Sequence, residues 1–244
     1  MSHPDAVIPR RQPLSRDRVL AAAVLVADRE GLSSITMRSV ADRLGVEAMA
    51  LYRHVASKDD LLDSLADVVI GEINAACDAL PDAGDSADWR GALRRRILTA
   101  RSTLLRHPWA PTLIGTRGTM SLELMRYFDG FSGVMVEAGF SIDFVHHALH
   151  AFGTRALGWA PEVFQPGAPP LEDPDAALEA VAALSDRLPY VARVVEQLLH
   201  DADTTVGWCD DQTEFEFGLD VMLDGLEARR LRESGGGSEH VGTD

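Results

Sequence analysis

The chain has 244 residues, of which 46% are apolar and 25% are charged, and its formal net charge is −15. This length fits one globular domain or a small domain joined to a larger one. No apolar run approaches the ~20 residues needed to span a bilayer. The two cysteines, Cys77 and Cys209, are far apart, which is typical of a reducing compartment. We therefore expect a cytoplasmic protein without membrane contact.

The charge is divided unevenly along the chain. Residues 1–58 hold nine basic and six acidic side chains, a formal charge of +3, whereas residues 59–244 carry −18. Because an acidic surface repels nucleic acid, any DNA contact is expected in the N-terminal part.

Local motifs of common enzymes do not occur in the sequence. Lys58 is the only lysine and follows Ser57, so the Gly-Lys pair of a nucleotide-binding P-loop cannot form. Neither a Gly-x-Ser-x-Gly elbow nor a His-Glu-x-x-His pair is found. We expect no enzymatic activity and no cofactor. A helical enzyme that uses Glu162, Asp129 or the His146 to His150 group is a weaker alternative.

The first two helices are marked by their ends. Ser15 is a good N-cap, and the apolar residues after it recur at helical spacing until Gly31. Thr36 caps a short second helix, which ends at Gly45.

A short third segment and a long fourth helix follow. The third runs from Glu47 to Val55 and is too short to be stable alone. Ser57, with Asp60 three residues later, predicts the start of the fourth helix. Two short helices joined by a tight glycine turn are typical of a helix-turn-helix unit.

Helical patterns continue through the rest of the chain, after a loop that follows Pro81. One helix begins at Trp89 and ends near His107, where Pro108 interrupts it. No segment shows convincing strand alternation, and the Pro-rich stretch 161–174 is expected to be a flexible connection. Further helices are predicted near residues 119–138, 141–164, 174–201 and 210–232.

One contiguous motif is more specific than these patterns. Leu44-Gly45-Val46 is followed by Leu51-Tyr52 and His54-Val55, and then by Lys58 and Leu61-Leu62. With its flanks, this motif resembles the N-terminal DNA-binding domain of the TetR (tetracycline-repressor) family. The resemblance implies a bacterial, homodimeric, ligand-responsive transcriptional regulator. It favours a repressor that leaves a palindromic operator when a small effector binds.

The same resemblance assigns the DNA contacts. Arg38 matches the family's base-reading arginine and is suited to bond a guanine edge. The small Ala48 lets the backbone approach the major groove, and Met49 projects toward thymine methyl groups. The remaining positions match phosphate contacts. The predicted DNA-binding residues are Thr36, Arg38, Ala48, Met49, Tyr52, His54 and Lys58.

The C-terminal part resembles the tetracycline-repressor-like branch of ligand-binding domains. The residues that carry this resemblance include Gly115-Thr116-Arg117 and Phe215-Glu216-Phe217-Gly218. In that branch a small molecule lies between helices, and two helices from each subunit form a four-helix bundle. Here those helices would be residues 141–160 and 210–232. Their small residues permit close approach: Ala148, Ala151, Gly153, Ala156, Gly218 and Gly225.

The predicted effector site combines carried-over positions with nearby aromatic side chains. Leu113 stands where the tetracycline repressor has a histidine that coordinates drug-bound magnesium, so no metal site is expected. A largely hydrophobic effector with a few polar anchors fits this set. The predicted ligand-binding residues are Asn74, Arg96, Ala100, Leu113, Thr116, Phe128, Asp129, Phe152, Trp159 and Glu162.

A histidine pair supports an alternative function. His146 and His150 are four residues apart, a spacing at which one helix face can hold zinc or nickel. A metal-responsive regulator therefore stays as the second interpretation, although no further ligand lies at a supporting spacing.

Taken together, these patterns predict an all-α chain with a three-helix helix-turn-helix domain and a larger helical domain. The predicted divisions are a flexible arm (1–14), a DNA-binding domain (15–60), a connecting helix (61–80), a ligand-binding and dimerisation domain (88–233) and a disordered tail (234–244).

Overall fold

The computed structural model describes residues 13–81, 88–159 and 211–236, with positions 179, 182–183, 185–190 and 192–193 between the last two stretches. Every regular element in these stretches is a helix, which confirms the predicted all-α class. No helix in them is long and apolar enough to cross a membrane.

Nine α-helices and two short 3-10 helices occur in the described stretches. The α-helices are α1 (Arg16–Glu30), α2 (Met37–Leu44), α3 (Ala48–Leu51), α4 (Lys58–Asp78), α5 (Trp89–Arg106), α6 (Ala110–Thr116), α7 (Leu122–Glu137), α8 (Ile142–Phe152) and α9 (Asp211–Gly236); the 3-10 helices are Leu32–Ser34 and Gly153–Leu157.

The caps of α1 confirm the predicted ends. The Ser15 hydroxyl accepts a hydrogen bond from the Arg18 backbone N–H at 3.3 Å. Gly31, with φ of 82°, donates its N–H to the Ala27 carbonyl at 2.9 Å. A left-handed backbone of this kind favours glycine, so the chain leaves the helix there.

The helix α2 is also closed at both ends by short-range bonds. Thr36 Oγ1 accepts from the Ser39 N–H at 3.0 Å, and Ser39 Oγ accepts from the Thr36 N–H at 2.9 Å. This reciprocal pair is a capping box. Gly45, with φ of 66°, ends the helix as predicted.

The third helix is shorter than the predicted segment, and the start of α4 is more elaborate. Only Ala48–Leu51 is α-helical, and the chain then turns toward Val55, which is buried. Ser57 Oγ accepts from the Asp60 N–H at 3.0 Å, as predicted. The Asp60 carboxylate reaches past the cap and accepts from the Ala56 N–H at 2.7 Å.

One helix was not predicted, and two helix boundaries differ from the predictions. A separate helix, α6, follows Pro108, because Pro111 lies in its first turn, where a missing N–H removes no helical bond. The α8 helix ends at Phe152 and not near residue 164, since Gly153 has a φ of 51°. The α9 helix continues to Gly236, three residues into the predicted tail.

Several predictions concern residues outside the described stretches. These are the Pro-rich connection 161–174, residues 1–12 of the arm, residues 237–244 of the tail, Glu162 and Cys209. The helix predicted near 174–201 overlaps only the scattered positions between 179 and 193.

The chain divides into two compact units, Met1–Val145 with Leu157–Trp159, and His146–Ala156 with Ala160–Asp244. In the first unit one apolar cluster of buried side chains extends from α1 through α4 to Tyr127 on α7. The helix-turn-helix and helices α4 to α7 therefore share a core. The described core of the second unit includes Ala148, Phe152, Ala156, Phe215, Leu219, Leu223 and Leu226.

Candidate DNA-binding and effector sites

The predicted base-reading side chains of Arg38 and Met49 and the predicted phosphate contact Tyr52 are exposed on the helix-turn-helix. Met49 is 74% exposed and Tyr52 is 46% exposed, although both are large hydrophobic residues. The Arg38 side chain is 88% exposed, and its Nε lies 3.9 Å from Asp42 Oδ2. Such an exposed pair contributes little, so it does not prevent the guanidinium from turning to a base. Ala48 is half-buried and packs against the core below.

The predicted phosphate contacts lie at helix ends. Lys58 is exposed at the first position of α4, where free backbone N–H groups also favour an anion. His54 is half-buried in the turn between α3 and α4. The Thr36 hydroxyl is exposed and already accepts the capping bond of α2.

An arginine that the sequence analysis missed holds this turn in place. Arg16 Nη1 donates to the His54 carbonyl at 2.6 Å. Its Nη2 donates to Asp60 Oδ1 at 3.0 Å and to Ser64 Oγ at 2.6 Å. The bond from Arg16, with that from the Ala56 N–H, lowers the pKa of the Asp60 carboxyl. Arg16 thus ties the start of α1 to the turn that carries His54.

Two predicted effector residues, the buried Asn74 and the half-buried Arg96, each have a buried polar atom without a partner in the described part of the chain. Asn74, on α4, is 1% exposed, and its Nδ2 donates to the Glu123 carbonyl at 2.9 Å and to Glu123 Oε2 at 2.8 Å. Arg96, on α5, donates from Nη2 to the Tyr127 carbonyl at 2.9 Å. Asn74 Oδ1 and Arg96 Nε are buried with no hydrogen-bond partner in the described part of the chain.

The surroundings of Arg96 are mainly apolar. Its guanidinium carbon lies 4.7 Å from the centre of the Tyr127 ring, and that ring meets Phe128 edge-on at 5.7 Å between centroids. Burial raises the pKa of the Tyr127 hydroxyl and that of the Cys77 thiol. One acceptor and one donor atom beside these aromatic rings suit a mostly apolar molecule with complementary polar groups.

The other predicted effector residues differ in their burial. Ala100 is buried, and Leu113, Phe128 and Trp159 pack against the same apolar cluster. Thr116 is exposed, and its hydroxyl donates to carbonyls of its own helix. Asp129 is exposed, Phe152 is buried in the second unit, and Glu162 lies outside the described residues.

Arg101 is a further buried polar residue that the sequence analysis missed. It is 4% exposed on α5, and its Nη1 donates to the Gly158 carbonyl at 3.2 Å. The bond joins residues 57 positions apart, so no local pattern indicates it.

The histidine pair does not form a metal centre in the described part of the chain. The His146 and His150 rings are exposed, with centroids 4.6 Å apart. No group of three His, Cys, Asp or Glu side chains able to hold a metal occurs among the described residues. The metal-responsive alternative is therefore not favoured.

The helix α9 carries apolar side chains on two faces. Phe215, Leu219 and Leu223 are buried within the second unit. Phe217 is 67% exposed and Val221 is 54% exposed on the opposite side. An exposed apolar face of this kind marks a possible protein interface.

The helix-turn-helix exposes side chains of the kinds that contact DNA, and the helical part that follows it contains buried polar atoms suited to a small molecule. These two features define the class of helical DNA-binding regulators. Two family models match the chain. "Bacterial regulatory proteins, tetR family" matches residues 19–65, and "Tetracyclin repressor-like, C-terminal domain" matches residues 80–230. The chain belongs to the TetR family and is a ligand-responsive, DNA-binding transcriptional regulator.

Individual relatives agree with this assignment. A "HTH-type transcriptional repressor DrrR1" of Streptomyces coeruleorubidus is 33% identical, over 93% of this chain and 84% of the relative. An HTH-type transcriptional regulator of Saccharopolyspora erythraea is 35% identical, but the match spans only 54% of this chain and 53% of that protein. A crystal structure of a possible TetR family regulator from Streptomyces coelicolor A3(2) is 28% identical, with a TM-score of 0.64 over 88% of this chain and 99% of that one.

Proposed function

We propose that the chain is a homodimeric repressor that binds a palindromic operator and is released by a small, largely hydrophobic effector. The observation that carries the DNA-binding part is the exposure of Arg38, Met49 and Tyr52 on a well-packed helix-turn-helix. In this proposal residues 15–60 form the DNA-binding head, and α4 connects it to the effector-binding and dimerisation domain.

The roles within the head follow from chemistry and exposure. Arg38 bonds a guanine edge, and Met49 contacts thymine methyl groups. Tyr52, His54, Thr36 and Lys58 contact phosphates and fix the register, which carries no sequence information by itself.

Two features support the proposed dimer: the exposed apolar face of α9 and the acidic charge of the C-terminal part. Two linked heads bind a palindrome far more tightly than one, because the second contact becomes intramolecular. The exposed Phe217 and Val221 supply an apolar face that a second copy can cover. The body is strongly acidic, so we expect the dimer to hold this surface away from DNA.

The effector is proposed from two buried polar atoms without a partner. Asn74 Oδ1 is an acceptor and Arg96 Nε is a donor, and neither has a hydrogen-bond partner among the described residues. An effector that supplies a donor and an acceptor to them would remove an energetic cost present in the folded chain. Because Leu113 is not a metal ligand, magnesium should not strengthen effector binding.

The test is a selection of duplexes from random DNA with the full-length chain, followed by release with a panel of mainly apolar compounds, with and without Mg²⁺. We expect an inverted repeat whose half-sites are about one helical turn apart or a multiple of it. Recovery of sequences without an inverted repeat would contradict the dimeric operator. Release that requires Mg²⁺ would contradict the proposed effector chemistry.

A further inference from the structure

Helices α1, α4 and α5 meet at His107, the residue that caps the C-terminus of α5. The ring is almost fully buried. Its Nδ1 lies 2.8 Å from Asp28 Oδ1 on α1, and its Nε2 lies 3.2 Å from Glu72 Oε2 on α4. Trp109 donates its indole N–H to the same Asp28 oxygen at 2.7 Å. We call His107, Asp28, Glu72 and Trp109 the clasp.

The charged groups around His107 come from three helices. Asp28 belongs to α1 and Glu72 to α4. Arg106, on α5 itself, has its Nη2 3.6 Å from Glu72 Oε2. The helix α6, which begins just after Trp109, carries no ionisable side chain. With a protonated His107 these four groups balance, and without that proton they carry one excess negative charge.

The geometry requires a proton on each ring nitrogen if both contacts are hydrogen bonds. An ionised carboxylate only accepts, and a neutral imidazole donates from one nitrogen only. When His107 is neutral, one of its nitrogens therefore directs a lone pair at a carboxylate oxygen. The Asp28 contact is shorter and is supported by Trp109, so the Glu72 contact is the one that deprotonation breaks.

The clasp connects the elements on which DNA binding and effector binding depend. The helix α1 holds the His54 turn through Arg16. Glu72 lies two residues before Asn74 on α4, and Trp109 immediately precedes α6, which carries Leu113. The clasp therefore joins elements that carry proposed effector residues to the helix that holds the His54 turn.

We propose that His107 is a positioning residue for the DNA response: it ties α1 to α4, and its proton determines whether that tie is complete. The inference rests on the proposed function for its link to the operator. When both carboxylate contacts of His107 are formed, the clasp restrains the head before it binds DNA, so less conformational freedom is lost on binding. The protonated form is therefore the tighter DNA binder.

The first test is hydrogen exchange of the full-length protein at pH 5.5 and 8.5, with rates corrected for the intrinsic effect of pH. This range spans the ordinary titration of histidine. We expect the protection of backbone amides around Glu72 on α4 to fall about tenfold at the higher pH, because one charge-assisted hydrogen bond is lost.

The matched variant is Glu72→Gln, which changes one atom type at a partly exposed side chain. Its amide N–H can donate to the Nε2 lone pair of a neutral His107, so the contact survives at pH 8.5. We expect this variant to lose the pH-dependent fall in protection. The same fall in wild type and in Glu72→Gln would overturn the proposal, and circular dichroism checks that both are folded.

The second test is affinity for the duplex recovered by selection, measured at both pH values. His54 is a second histidine and a predicted phosphate contact, so wild type is compared with Glu72→Gln, which keeps His54. We expect the affinity of wild type to drop about threefold to tenfold more than that of the variant. Equal drops would overturn the link to DNA. If no form bound DNA, the proposed function would fail, whereas the exchange result would still decide the clasp.

Discussion

The head and the effector segment, which comprises α4 to α7 with Trp159, use polar side chains in opposite ways. In the head the polar candidates are exposed, and their positions are fixed by caps such as the Thr36–Ser39 pair. In the effector segment Asn74 is buried and Arg96 is half-buried, and each has one buried polar atom without a partner among the described residues. The head therefore presents solvent-exposed side chains, already held in position, to its binding partner. The effector segment carries an energetic cost that a ligand can remove.

The largest expected effect comes from separating two heads. Phe217→Glu places a charge on the exposed face of α9 and should prevent dimerisation without disturbing the buried face. Operator affinity should fall on the order of 100-fold, because the second head no longer binds intramolecularly. Sedimentation gives the oligomeric state, and titration with operator DNA gives the affinity.

Leu105→Glu is the matched control for this change, since Leu105 is 57% exposed on α5. It adds the same charge to the acidic body and should leave the dimer intact. A monomeric Phe217→Glu protein that binds operator as tightly as wild type would show that one head suffices.

The next largest effect should appear in the effector response alone. Leu113→Asp puts a charge into the apolar lining of the effector segment, so an apolar effector should no longer bind. Coupling between two such sites is typically about 5- to 150-fold, and this factor should be lost. Operator affinity without effector should change little.

Thr112→Asp, at the exposed neighbouring position, controls for the added charge. Release of operator by an effector is measured for both variants. If Leu113→Asp lost operator affinity and kept its release, Leu113 would be a structural core residue and not part of the effector site.

A smaller and more specific effect is expected within the head. Arg38→Ala should relax the preference at one base pair in each half-site by about tenfold, the value of a bidentate contact to guanine. Arg43→Ala removes an equal charge from an exposed position of the same helix and should leave base preference unchanged. Binding is measured on operators substituted at each position. Uniform weakening on all of them would remove Arg38 from the base-reading set.

The smallest effects are expected at Arg16 and Lys58, and they distinguish a residue that positions the head from one that contacts phosphate. Arg16→Ala should weaken operator binding about fivefold without changing its salt dependence, because Arg16 acts on the His54 turn. Lys58→Ala should lower the slope of log K against log salt by about one, with a similar loss of affinity. A reduced slope in Arg16→Ala would make Arg16 a phosphate contact.

The Arg16 contact also predicts an acid dependence. The pKa of Asp60 is lowered in the folded head, so this carboxylate stabilises the fold above its ordinary pKa and loses that contribution as the pH falls below about 4. Thermal unfolding of Arg16→Ala between pH 3 and 6 should show a weaker dependence on pH than wild type does.

The sequence predicted those parts of the fold that depend on neighbours three or four residues apart. The N-caps Ser15, Thr36 and Ser57 and the glycine at 45 are signals of this kind, and all four are confirmed. Pro108 was interpreted only as the end of a helix, and α6, whose first turn accommodates Pro111, was not predicted.

The contacts that join helices could not be predicted in the same way. Arg16 and His54 are 38 positions apart, and His107 and Asp28 are 79 apart. No periodicity links such residues, and a charged side chain on a helix is normally read as solvated. Arg96, which the resemblance assigns to the effector site, donates to the Tyr127 carbonyl 31 positions away, and no periodicity indicates this contact either.

Gly158 limits how the specificity of this regulator can be redesigned. Its φ is 76°, and a Cβ there would overlap the backbone of Arg101, whose guanidinium also bonds the Gly158 carbonyl. Because of both constraints, substitutions of Gly158 are not expected to give folded protein. A mutant library that seeks new inducers should therefore keep this position unchanged. The adjacent Trp159 is half-buried against the apolar cluster and belongs to the proposed effector site, so we expect such a library to gain more diversity there.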